Sequence, residues 1–102
     1  MFAGFQTFEC KQGKKFEMVM LWNSAILPEL AKQSGCKGGL LLVDPESNKC
    51  MGIELWDDDV AASSFDTNGS FQKLAAKLTP VVTAPPERRQ LQVMAQNVTQ
   101  GT

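Results

Sequence analysis

The chain has 102 residues, enough for one domain that buries roughly two thirds of its unfolded surface around one modest core. Its net charge of −1 leaves no electrostatic footprint for nucleic acid or an anionic membrane, and the basic doublets Lys14-Lys15 and Arg88-Arg89 read as solvated surface. It contains no histidine and no tyrosine, which excludes Ser–His and Cys–His nucleophiles and removes the commonest metal and haem ligand.

The longest apolar run, residues 40–43, is far too short to span a bilayer. The N-terminus lacks a basic region and reaches Glu9 early, so no signal peptide is expected. The three cysteines, Cys10, Cys36 and Cys50, have no C-x-x-C spacing, which argues against a zinc site. Pairing Asp44 with Lys49 puts Cys50 opposite Val43 and Cys36 opposite Asp57, too far apart to bridge. Reduced thiols and a cytoplasmic protein are expected.

Residues 5–11 alternate weakly and read as the first strand. Residues 14–33 read as a helix with an apolar stripe of Phe16, Val19, Met20, Ile26, Leu27 and Leu30, kinked at Pro28 and closed by Gly35. Two short apolar runs then flank Pro45-Glu46-Ser47-Asn48, a hairpin signal. The second run ends at Trp56 and leads into Asp57-Asp58-Asp59, which caps and charges a helix start rather than forming a metal cluster. Residues 57–65 and 70–78 read as helical pieces and 88–95 as the last strand. The domain is expected over residues 1–96, with a polar tail at 97–102.

This order, β-α-β-β-α-β, predicts an α+β, ferredoxin-like fold with an antiparallel sheet. Leu40, Leu42, Met51, Ile53 and Leu55 fall on one hairpin face; Leu41, Val43, Cys50 and Trp56 fall on the other. The helices can cover only one face. A second copy packed sheet to sheet is the simplest cover for the other, so a homodimer is expected.

The pattern KQGK after the first strand, the run ILPELAKQSGCKGGLLLVD, the turn and a strand ending in LWDDD resemble the antibiotic-biosynthesis-monooxygenase-like proteins. The resemblance spans nearly the whole chain and implies a dimeric α+β barrel. Among the functions of that superfamily it implies a cofactor-independent monooxygenase acting on a small planar aromatic compound. It does not extend to haem degradation, because the positions matching that branch's asparagine, tryptophan and histidine are Gln6, Phe65 and Ala75. No cofactor is expected. The alternative is a non-catalytic dimeric domain that binds a small apolar molecule or serves a structural role.

Glu54 is the candidate catalytic residue. Strand alternation puts it on the face of Trp56, opposite Gly39 and two residues after Gly52, and the two glycines leave space beside the carboxylate. A carboxylate facing apolar walls has a raised pKa and can take a proton from a phenol. Trp56 could stack on a planar ligand, and Asn23, placed within the helical stripe, could orient its carbonyl or hydroxyl. Gly39 and Gly52 complete the expected ligand site. For each residue the alternative is structural: Glu54 a rim carboxylate, Trp56 a core corner, Asn23 a backbone-bonded amide.

Overall fold

A computed structural model describes residues 1–97, so the predicted polar tail lies outside the described residues apart from Asn97. Four antiparallel strands, β1 (Phe2–Glu9), β2 (Cys36–Val43), β3 (Lys49–Trp56) and β4 (Glu87–Gln92), form one sheet in the order β2-β3-β1-β4. Helices α1 (Lys15–Leu21), α2 (Leu27–Ala31), α3 (Asp59–Thr67) and α4 (Ser70–Leu78) cover one face of it. The predicted α+β, ferredoxin-like order is the one observed.

The first helix departs from expectation in an instructive way. It is an α–π–α element, with residues Trp22–Ile26 wound as a π-helix between α1 and α2. Pro28 has no N–H to offer Ser24, and its ring would strike that carbonyl in a regular α-helix. The Leu27 N–H instead reaches back five residues to the Trp22 carbonyl. The wide turn also fixes which face is buried. Met18, Trp22, Ile26 and Leu30 all point inward at four-residue steps. Each such step overshoots a regular turn by about 40°, and the extra residue of the π segment absorbs the drift. The predicted stripe is therefore misphased in its first half: Phe16 is 77% exposed and Met20 53%.

The hairpin register is as expected at Val43↔Cys50, with the Asp44 N–H donating to the Lys49 carbonyl at 3.0 Å. A bulge between Cys36 and Gly38 shifts the far end, so Cys36 faces Trp56 rather than Asp57. The Asp58 carboxylate accepts the Ala61 N–H at 2.9 Å and caps α3, which starts at Asp59. β1 begins three residues earlier than predicted, because Phe2 to Gly4 pair with both β3 and β4.

The core lies between the helices and the inner sheet face: Phe8, Cys50 and Trp56 from the strands, Met18, Trp22, Ile26, Leu30, Phe65, Leu74 and Leu78 from the helices. The other face carries Phe5, Leu40, Leu42, Met51, Ile53, Leu55 and Leu91, with Leu40, Leu42 and Leu91 more than two fifths exposed.

Trp22 lies flat over Gly52, where an added Cβ would strike both the indole and the Gln6 amide. Gly52→Ala is expected to cost about 1–3 kcal/mol in denaturant unfolding. A loss below about 0.5 kcal/mol, the usual range of a surface change, would show that the indole does not rest on the glycine.

Candidate functional site

The inner face of the sheet is not uniformly apolar. Register places Leu41, Gly52, Gln6 and Arg88 in one row across the four strands, and Gly39, Glu54, Gly4 and Gln90 in the next. Four polar side chains thus converge under the helices, interleaved with three glycines. An added Cβ on Gly4 would come within 2.5 Å of Glu54 Oε1 and 2.7 Å of Arg88 Nη2, so the guanidinium and carboxylate lie in the space that Gly4 leaves.

Glu54 is 1% exposed. It accepts from Arg88 Nη1 through Oε1 and from Gln6 Nε2 through Oε2 at 3.3 Å. Arg88 Nη1 also donates to Gln6 Oε1 at 2.8 Å, and Arg88 Nε donates to Asp66 Oδ1 at 2.5 Å. Gln90 Nε2 closes the network, donating to Asp66 and to the Ala62 carbonyl at the C-terminal half of α3. The guanidinium is sandwiched by aromatic faces, 5.0 Å from the Phe65 ring centre and 4.8 Å from that of Phe71. Arg88 Nη2 has no partner among the described residues.

One guanidinium therefore serves two carboxylates. Burial pushes the Glu54 carboxyl above the usual carboxylate range; Arg88 and the Gln6 amide oppose the shift, and Asp66 adds to it. Such a carboxyl takes a proton more readily than an ordinary glutamate, and it does so beside a fixed cation.

Above this cluster is a small cavity of about 20 Å3. Trp22, Ile26, Leu30, Phe65, Leu74 and Leu78 wall it, and Gln6 and Glu54 form its floor. Phe71, Ala75 and Pro86 are the lining residues with partial exposure and mark its mouth, between α4 and the start of β4.

The expected site residues separate on this map. Glu54 lines the cavity. Trp56 shares its strand face but is fully buried against Phe65, ring centres 5.0 Å apart, and does not line the cavity. Asn23 was expected inside the helical stripe; the π segment turns it outward, where it is exposed and its amide donates to the Val19 carbonyl at 3.2 Å. The spaces expected beside Gly52 and Gly39 are filled, the first by Trp22 and Gln6, the second by Leu30 and Leu27. Arg88, Asp66 and Gln90 escaped sequence reasoning. Arg88 reads as half of a surface doublet, and nothing in a single strand says which face of β4 turns inward.

No protein-family model and no curated protein sequence matches the chain. Solved structures do. A monooxygenase from the ActVA-Orf6 gene of Streptomyces coelicolor, bound to nanaomycin D, aligns with a TM-score of 0.77 at 14% identity, covering 97% of this chain and 92% of that one. A protein of Deinococcus radiodurans provisionally assigned as an antibiotic biosynthesis monooxygenase gives 0.76 at 16%, covering 99% and 100%. A variant of SnoaB, a cofactor-independent oxygenase from Streptomyces nogalater, gives 0.69 at 21%, covering 93% and 94%. The fold is that of the antibiotic biosynthesis monooxygenases. At these identities the likeness concerns the fold alone, and the chemistry has to be argued from the cavity and the cluster beneath it.

The raised Glu54 carboxyl has a thermodynamic consequence. The native chain holds this proton to higher pH than the unfolded chain, so the native state binds more protons in that window and stability falls as pH rises through it. Glu54→Gln removes the titration. In denaturant unfolding at a series of pH values, the stability of Glu54→Gln minus that of the wild type is expected to increase from about pH 4 upward. A difference that does not change with pH would contradict the assignment.

Proposed function

We propose that this protein is a cofactor-independent oxygenase of small planar phenols, working as a homodimer in the cytoplasm. The observation that carries the reading is the buried Glu54–Arg88 pair at the floor of an apolar cavity with one mouth. A phenol entering between Phe71, Ala75 and Pro86 presents its hydroxyl to Glu54. The carboxylate takes the proton, and the adjacent guanidinium stabilises the phenolate left behind. An electron-rich phenolate can itself reduce dioxygen: a phenol and O2 give a quinone and water, one oxygen atom entering the ring and the other leaving as water. The substrate supplies all the electrons, so no cofactor is required. A ring needs more room than the present cavity, so entry requires Phe71 to move off the Arg88 guanidinium. Trp22, rather than Trp56, is then the wall a planar ligand meets, and Asn23, Gly39 and Gly52 act at one remove by shaping the helix and seating Trp22 and Leu30.

The competing reading is a dimeric binding domain without turnover. The small cavity volume favours it, as does a polar cluster whose members mostly bond one another. Oxygen uptake in the presence of a panel of polyphenols separates the two. The oxygenase reading expects substrate-dependent uptake that Glu54→Gln lowers by about 10²–10⁴-fold, the usual contribution of a general base. No uptake with any phenol would leave the binding domain standing.

The homodimer is supported by the apolar outer sheet face, which is larger than a soluble monomer ordinarily exposes. Sheet-to-sheet packing of two copies would cover Phe5, Leu40, Ile53 and Leu91. Sedimentation is expected to give a dimer at micromolar concentration and a monomer for Ile53→Arg; a monomeric wild type would overturn the dimer.

A further inference from the structure

The inner cavity has room for a guest of about the size of one water molecule. Its chemistry does not suit water. A buried water needs two to four polar partners, and the floor groups are already engaged: Gln6 Nε2 with Glu54, Gln6 Oε1 with Arg88, and both Glu54 oxygens with Gln6 and Arg88. The remaining walls are aromatic and aliphatic. A cavity of this kind stays dry and takes small apolar molecules. It also has an approach. A surface groove of about 380 Å3, lined by Lys11, Gln72, Thr79 and Thr83, shares Ala75 and Pro86 with the cavity mouth.

We propose that the inner cavity is a dioxygen site, loaded from this groove through the gap at Ala75 and Pro86. The identity of the guest rests on the oxygenase reading; the suitability of the cavity for an apolar diatomic does not. Dioxygen held among Trp22, Ile26, Leu30, Leu74 and Leu78 lies beside the carboxylate that would generate the phenolate, so the two reactants meet without the gas diffusing in after the mouth has closed on the ring. The narrow volume is then a fitted feature of the site: it selects the gas, and the larger substrate is accommodated at the mouth.

The test is methyl NMR of the substrate-free protein under a few atmospheres of dioxygen, whose paramagnetism speeds relaxation of nearby nuclei. The methyls of Ile26, Leu30, Leu74 and Leu78 are expected to relax several-fold faster on oxygenation than those of Val81, which is equally buried but outside the lining. Ala75→Leu, at a partly exposed helical position where leucine is a good helix former, narrows the cavity and should remove most of this excess while leaving Val81 unchanged. Cavity methyls that respond no more than Val81, or an excess that survives Ala75→Leu, would overturn the dioxygen site. Oxygen uptake with phenols is scored separately. Uptake without a methyl excess removes the gas site and leaves the oxygenase reading; a methyl excess without uptake supports the gas site and removes the oxygenase reading.

Discussion

A single arginine ties together elements that share no other polar contact. Arg88 is 9% exposed, sits on an edge strand, and donates to β1 through Gln6, to β3 through Glu54 and to the end of α3 through Asp66. Burying a guanidinium is costly unless it is paired and hydrogen-bonded. The partners offset that cost here, and two aromatic faces supply the rest of its surroundings. The balance is not neutral: two carboxylates oppose one cation, so the carboxylate farther from solvent, Glu54, is the one pushed toward its protonated form. The charge imbalance that makes the cluster expensive also makes Glu54 a proton acceptor.

The packing above the cluster depends on three local devices. Pro28 imposes the π turn, the π turn brings Trp22 into line with Met18, Ile26 and Leu30, and Gly52 lets the indole lie on the sheet. Gly4 plays the matching role for the guanidinium and carboxylate. The cavity is what remains between the indole, α4 and the polar floor. Its size is thus set by backbone features more than by the choice of apolar side chains around it.

Element order, hairpin register and the two hairpin faces were legible in the sequence because alternation and turn chemistry are local signals. Glu54's face was legible for the same reason: it follows from Trp56 by alternation. The helix phase was not, since Pro28 announces a disruption without saying whether a kink or a π turn resolves it. Asn23 went astray with that phase. Arg88 was illegible for a different reason. β4 reads Glu-Arg-Arg-Gln-Leu-Gln, and its one leucine faces the outer surface while Arg88 and Gln90 face inward. Pattern reasoning assigns the leucine to the core. Only the apolar residues of β1 and β3 on the outer face, Phe5 and Ile53, explain the inversion, and they do so through pairing that a single strand does not reveal.

The most direct test of this account is a double-mutant cycle between Arg88 and Glu54, read as unfolding free energy at neutral pH. Arg88→Met leaves Glu54 buried without its cation, a penalty that Glu54→Gln then relieves. The effect of Glu54→Gln is expected to be at least about 1.5 kcal/mol more favourable in the Arg88→Met background than in the wild type, within the range of coupling for side chains in one network. Effects equal in the two backgrounds to within about 0.5 kcal/mol would contradict it, because Arg88 and Glu54 would then be neighbours without being a pair.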